Sequence, residues 1–257
     1  MRIDFRGNMV DEPEIRAGFI GAGSHSFRNL YPAFQFAPVK LEAVCDLDLE
    51  KARAFAAQFG ATGAYADHRE MLAKEELDAV FICVGYGDDG RPMYPDLAVS
   101  CLEAGVHVWI EKPPAAFVKD IERIRAAADA AGKKVLVGMK KMFFPANRKA
   151  KELAESPDFG SVQLVLLQYP QRVPTPEDLA DYVKGDFQRE GVKWVRGFVD
   201  HLCHPVSIMI FLLGMPETLY YERSPEGAAN ATFTFEGGGV AAIALTCGSS
   251  RNAGMER

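Results

Sequence analysis

Arg16-Ala17-Gly18-Phe19-Ile20-Gly21-Ala22-Gly23-Ser24-His25-Ser26 decides how this chain is read. A short, mostly apolar run passes without a spacer into two glycines one residue apart. In a dinucleotide-binding βαβ unit the first such glycine makes the tight turn, and the second lets the backbone approach a pyrophosphate. A third lets the following helix pack closely on the strand. Here the third position is Ser26, so the pattern is GxGxxS, with Gly21, Gly23, Ser24, His25 and Ser26 as the candidate phosphate loop. Glycine pairs also make plain turns. What raises this one is its setting: a strand before it, a helix-forming stretch after it, and Asp46 closing the next apolar run.

At that spacing a carboxylate accepts hydrogen bonds from the ribose hydroxyls and repels a 2′-phosphate, which favours NAD over NADP. The other reading of Asp46 is a cap on the helix that begins near Leu49, although Asp48 is better placed for that task. Arg53 falls on the same helix, where it is poorly sited to read a phosphate.

Outward from this unit the first half alternates short apolar runs with helical patterns, the signature of a doubly wound α/β domain with a parallel sheet. Strands are expected at 16–20, 41–45, 79–84, 106–110 and 135–138, each nearly continuously apolar, as suits strands covered on both faces. Helices are expected at 49–59, 96–104 and 121–131, each followed by a glycine placed to end it. Beyond about residue 145 the rhythm changes. A helix at 147–155 leads to an apolar run at 162–169, and the Pro- and charge-rich stretch 170–197 reads as a long loop. A helix at 199–213 follows, and segments 218–223, 231–236 and 240–247 alternate like antiparallel strands around the turn Glu236-Gly237-Gly238-Gly239. The division expected is a Rossmann domain at 1–143 and an α+β domain at 144–257, with a mostly antiparallel open sheet that looks short at its C-terminal end.

Bulk properties narrow the function classes. The 257 residues are 48% hydrophobic and 25% charged with a net charge of −6, ordinary for a soluble globular protein. That balance gives no electrostatic reason to expect nucleic acid, and no polybasic stretch suggests a membrane surface. The N-terminus is too polar for a secretory signal, and no uninterrupted apolar stretch reaches membrane-spanning length. Cys45, Cys83, Cys101, Cys203 and Cys247 are scattered without a CxxC pair, so free thiols in a reducing, cytoplasmic setting are expected.

Two further constellations carry chemistry. Glu111-Lys112-Pro113 follows the strand at 106–110 on the sheet edge where open α/β folds bind ligands. A lysine there can donate to a substrate oxygen and stabilise developing negative charge; the bland reading is an exposed Glu–Lys pair. A cis bond before Pro113 is compatible with the Pro113-Pro114 pair. The second constellation is Asp200-His201-Leu202-Cys203-His204, in which Asp200 and His204, four apart, share a helix face. A metal site is one alternative, though no further Cys/His pair completes it; a structural histidine is another. Pro205 adds a condition, because it belongs near a helix start or at a kink. A helix beginning at His204 would take Asp200 off the shared face.

With Gly105-Val106-His107-Val108-Trp109-Ile110-Glu111-Lys112-Pro113 behind a GxGxx fingerprint, the chain resembles the Gfo/Idh/MocA oxidoreductases over nearly its whole length. The resemblance implies a nicotinamide-dependent dehydrogenase. In relatives acting on polyols or sugars, an Asp-x-x-x-His motif supplies a proton-accepting histidine beside the Glu-Lys-Pro lysine. Carried over, His204 is the general base, Lys112 the donor to the substrate oxygen, and Asp200 a substrate-binding or orienting group. Val84, Gly85, Tyr94 and Glu111 join the cofactor contacts. The chain departs from the family pattern at Ser26 and in the longer loop at 85–94, where Tyr94 stands at the position of a usual histidine. The expectation is an NAD(P)-dependent oxidoreductase of a small sugar, polyol or sugar acid, without a resident metal, self-associating through its C-terminal sheet. Within 170–197, Gln171, Arg172, Asp186, Gln188, Arg189 and Lys193 offer hydrogen-bonding groups, with Arg172 and Lys193 the candidates for a carboxylated substrate. A non-catalytic dinucleotide-binding regulator is the alternative. A methyltransferase is disfavoured by the Glu-Lys-Pro stretch.

Overall fold

The computed structural model describes residues 12–187 and 189–246. Gln188, Cys247 and both chain ends lie outside the described residues. Two compact units divide between Gly138 and Met139.

The first unit is one parallel sheet with helices between its strands. Its strands are β1 (Ile15–Ile20), β2 (Val39–Cys45), β3 (Gly63–Tyr65), β4 (Ala79–Ile82), β5 (His107–Ile110) and β6 (Val135–Val137), in the order β3-β2-β1-β4-β5-β6. That is the Rossmann order, which reverses between β1 and β4 and opens a crevice beyond their carboxyl ends. The intervening helices are α1 (Ser24–Asn29), α2 (Leu49–Phe59), α3 (His68–Lys74), α4 (Tyr94–Glu103) and α5 (Val118–Ala131). α2 starts where Asp48 accepts from the N–H groups of Glu50 and Lys51, and it stops at Gly60 in the left-handed conformation. The sheet is buried by two clusters. One gathers Val80, Ile82, Leu102, Val108 and Ile110; the other gathers Phe19, Tyr31, Val44 and Ala52, with the Phe19 and Tyr31 rings stacked at 4.1 Å.

β3 and α3 escaped the sequence reading. Three residues are too few for an apolar run to declare a strand, and α3 buries only Met71.

The second unit begins with a 3₁₀ turn, Lys140–Phe143, and α6 (Pro145–Ala154). β7 (Leu164–Tyr169), α7 (Pro176–Lys184), α8 (Glu190–Leu213), β8 (Thr218–Arg223), β9 (Ala229–Thr234) and β10 (Val240–Leu245) complete it. The sheet runs β7-β10-β9-β8; β10 pairs parallel with β7, while β10–β9 and β9–β8 are antiparallel. Tyr169, Val173, Phe198, Met209 and Ile243 form its core.

The stretch 170–197 is not a loop. Thr175 accepts from Asp178 N–H as a cap, Pro176 opens α7, and Glu177 and Asp178 fill its first turn. Gly185 ends it, and α8 starts at Glu190, nine residues before the expected onset. The charges that read as loop are the wet faces of two helices. α8 is also long and apolar enough, by length and composition, to cross a membrane (mean hydropathy 1.2), although Val195, Phe198 and Met209 on it are buried within the unit. Cys45 and Cys101 are buried, Cys83 and Cys203 half-buried, and all four are free thiols.

Candidate functional site

In the first unit the glycine loop is fixed by sterics and by hydrogen bonds. Gly21 sits at φ +113°, and a Cβ there would collide with the carbonyl oxygen of Cys83. Only glycine fits. Its N–H donates to Cys45 O at 2.8 Å, so the turn is tied to the end of β2. Gly23 has the opposite environment, because a Cβ there would meet no heavy atom within 4 Å. Packing therefore does not demand glycine at 23; the bare backbone leaves room for a group approaching from the crevice.

Ser26 shows why the third fingerprint position tolerates serine. Its side chain is fully buried, with Oγ 3.0 Å from Gly21 O and 2.9 Å from Gly23 O, while Gly23 N–H donates back to it at 3.1 Å. One hydroxyl proton serves one of those carbonyls at a time, so the serine braces the loop from inside. Asp46 braces it from outside. Its Oδ2 accepts from Ala22 N–H at 2.7 Å and its Oδ1 from Asp48 N–H at 3.0 Å, and capping of α2 falls to Asp48. Arg53 is exposed and paired with Glu50.

These residues border a cleft of about 930 Å³, lined among others by Gly21, Gly23, His25, Ser26, Asp46, Val84 and Gly85. Ser24, Tyr94, Glu111 and Lys112 are not in its lining. Tyr94 is buried at the start of α4, and its hydroxyl donates to Val84 O at 2.6 Å. It steadies the wall of the cleft instead of facing a ligand in it. The 85–94 loop folds on itself through Gly87 N–H to Arg91 O at 2.8 Å, and the Arg91 guanidinium lies 5.6 Å from the Phe117 ring centre.

Glu111 links the two sequence motifs. Its Oε1 is 3.4 Å from His25 Nε2, its Oε2 accepts from Lys112 N–H at 2.9 Å, and its own N–H donates to Ile82 O. The Lys112–Pro113 peptide is cis. The sequence reading missed other lining residues, among them His68, Arg123, Cys45 and Cys83. Burial lowers the pKa of His68, whose Nε2 lies 3.1 Å from Ser100 Oγ, and pushes both thiols up to about 12, so they stay protonated at neutral pH. Arg123 is drawn to Asp96 at 2.7 Å. None of these sits in a local motif; tertiary folding alone brings them to the cleft.

In the second unit, α8 begins ten residues before Asp200, so Asp200 and His204 do share a helical face and Pro205 lies inside the helix. Ser207 Oγ donates to His204 O at 2.9 Å, and His201 Nδ1 lies 2.7 Å from Gly197 O. Among the described residues no group of three or more His, Cys, Asp or Glu side chains is arranged to hold a metal ion. Arg172 is exposed, and Lys193 lies 3.4 Å from Glu190 on the wet face of α8.

Comparison with known proteins agrees with this architecture. Residues 15–139 match the family described as "Oxidoreductase family, NAD-binding Rossmann fold". D-xylose 1-dehydrogenase (NADP(+)) 2 of Haloferax volcanii is 27% identical over 203 residues, which cover 79% of this chain and 58% of that protein. The scyllo-inositol 2-dehydrogenase (NADP(+)) IolU of Bacillus subtilis is 33% identical over 138 residues, 54% of this chain and 40% of the relative. The chain thus spans between about two-fifths and three-fifths of the length of these two. A dehydrogenase from Chromobacterium violaceum superposes with a TM-score of 0.74 at 22% identity, over 91% of this chain and 66% of that one, a likeness of fold.

Proposed function

We propose that this chain, whose residues 15–139 match that family, is a Gfo/Idh/MocA oxidoreductase: an NAD(P)-dependent dehydrogenase acting on CH–OH groups. The substrate class is a small hydroxylated molecule: a sugar, polyol or sugar acid. The observation that carries the reading is the glycine loop, closed to any side chain at Gly21 and left open at Gly23, with the Asp46 carboxylate beside it. These residues fit a dinucleotide: bare backbone for the pyrophosphate, a carboxylate for the ribose. When bound, the nicotinamide supplies the two-electron acceptor for the substrate's C–H bond.

The chain's own residues supply the rest. Lys112 donates to the substrate oxygen and stabilises its developing negative charge. His204 takes the hydroxyl proton, a task suited to an imidazole whose ordinary pKa is near neutrality. Asp200 orients the substrate by accepting from a hydroxyl. NAD is the favoured cofactor on the strength of Asp46, although the two curated relatives above are named for NADP(+).

The test follows reduced-nicotinamide absorbance with NAD and a panel of polyols, sugars and sugar acids. Lys112→Ala is expected to lower turnover by about a hundredfold or more, the scale of losing one oxyanion donor. Its NADH affinity should stay within about threefold of wild type, well under a tenfold step. Equal loss of both overturns the role of Lys112. NADH binding with silence across the panel favours a dinucleotide-binding regulator.

A further inference from the structure

His25 and Glu111 lie 86 residues apart in the chain, yet their side chains meet, with imidazole Nε2 3.4 Å from carboxylate Oε1. His25 stands in the first turn of α1, just past the glycine loop, and Glu111 follows β5. In the sheet order the ends of β1 and β5 are separated by β4, so this contact bridges the carboxyl end of β4. That edge, beside the switch point, is where open α/β folds take their ligands. The imidazole is half-exposed and lines the cleft, whereas the carboxylate is 12% exposed and lies outside the lining. The bridge thus marks the border of the cleft on the side of Lys112.

Asn29 fixes the imidazole proton. An amide nitrogen only donates, and Asn29 Nδ2 lies 3.3 Å from His25 Nδ1. Nδ1 therefore accepts, and the proton of the neutral ring sits on Nε2, facing Glu111. The second Glu111 oxygen accepts from Lys112 N–H at 2.9 Å. Asn29, His25, Glu111 and Lys112 form one chain of hydrogen bonds from α1 to the lysine. Its central contact is long for an N–H donor, and such contacts tighten when a site fills.

A dinucleotide laid on this edge has its direction set. Asp46, after β2, takes the adenosine ribose, and the glycine loop after β1 takes the pyrophosphate. The nicotinamide half then leaves the loop on the other side, across β4 towards Lys112, and meets the His25–Glu111 bridge on its way. The pattern GxGxxS leaves position 25 open to any side chain.

We propose that His25 is a positioning residue for the nicotinamide half of the cofactor. Through its bridge to Glu111 it seats that half at the Lys112 end of the cleft, while the adenosine diphosphate half is held without it. This rests on the dehydrogenase reading above and adds a side chain that the glycine pattern does not require.

The test separates the two halves of the cofactor. Calorimetric titration of the full chain compares NADH with ADP, which carries the adenosine and both phosphates but no nicotinamide riboside. His25→Ala should weaken NADH binding by about tenfold, the scale of one hydrogen bond to a charged group, and leave ADP within about twofold. Glu111→Gln presents an N–H to one of its two donors and should fall in the same range. The double variant should lose no more than the worse single one, because both changes remove the same bridge. His25→Gln, whose amide can donate to Glu111, should recover part of the loss. Circular dichroism checks the fold of each variant. If Glu111→Gln does not fold, the two His25 variants decide alone, by selective loss of NADH in one and partial recovery in the other. Equal loss of NADH and ADP, unchanged NADH affinity, or additive losses in the double variant overturns the proposal. Binding of neither nucleotide by the unaltered protein overturns it together with the dinucleotide reading. Selective loss of NADH, with no hydride transfer across the substrate panel, sustains the positioning role and counts against the dehydrogenase reading instead.

Discussion

Asp46 is the residue on which the choice of cofactor turns. Both its oxygens accept from backbone N–H groups, which fixes the carboxylate at the mouth of the glycine loop. A carboxylate anchored in that way keeps lone pairs for ribose hydroxyls, and its charge opposes a 2′-phosphate. NADH should therefore bind at least about tenfold more tightly than NADPH, which corresponds to ~1.4 kcal/mol. Asp46→Ala should narrow the gap to about threefold or less. Fluorescence titration of the two reduced cofactors measures both, and equal affinity in the unaltered protein would discard the assignment. The place of Asp46 after β2, beside the glycine loop, was legible from spacing because the βαβ unit fixes where the second strand ends; its ribose contact is what the titration tests. The place of Tyr94 was not, since its alignment with a usual histidine said nothing of the core that α4 packs it into. The contact of His25 with Glu111 was invisible for a related reason: 86 residues separate them, and only the sheet brings the ends of β1 and β5 together.

Between elements, Arg16 at the start of β1 grips Asp78, the residue just before β4. Arg16 N–H and Nε both donate to Asp78 Oδ2, and Nη2 donates to Oδ1 at 2.9 Å. Those bonds, the guanidinium contact foremost, lower the Asp78 carboxyl from 3.8 to about 2. A carboxyl whose folded pKa is depressed contributes stability that is present above its unfolded pKa and lost as pH falls through the folded one. Stability should thus decline between about pH 4 and pH 2, modestly, because both side chains are about two-fifths exposed. Chemical denaturation across that range should show a shallower acid slope for Asp78→Asn; an unchanged slope would assign the acid sensitivity to other groups. Element existence was readable wherever periodicity ran long, as in α2, whose bounds match the expected 49–59. It failed at α7, where Thr175-Pro176-Glu177-Asp178 is a complete helix start that the surrounding charges disguised.

For the whole molecule, the alternation in the second sheet leaves an apolar outer strip along β7 and β10, bordered by Thr232 and Thr234 on β9. Leu164 and Leu166 on β7 are 55% and 67% exposed, beside their register partners Val240 and Ala242 on β10, and Tyr220 on β8 is 66% exposed. The opposite face, with Val165, Leu167, Ala241 and Ile243, is the one that packs into the core. Among the described residues the outermost strands of this sheet are β7 and β8. Scattered surface leucines need no explanation, but a contiguous apolar face on a sheet marks a contact surface. Self-association was expected of the C-terminal sheet for its exposed edge; carried by this face, it predicts a mass above that of one chain in light scattering at micromolar concentration. Leu166→Lys places a charge on the apolar strip at the edge strand β7, where pairing two copies through that strip would bury it. Because Leu166 points away from the core, that substitution should leave the circular dichroism spectrum and the NADH affinity unchanged while shifting the mass to a single chain. A single-chain mass in the unaltered protein, or an assembly indifferent to the lysine, would rule out this face as the contact.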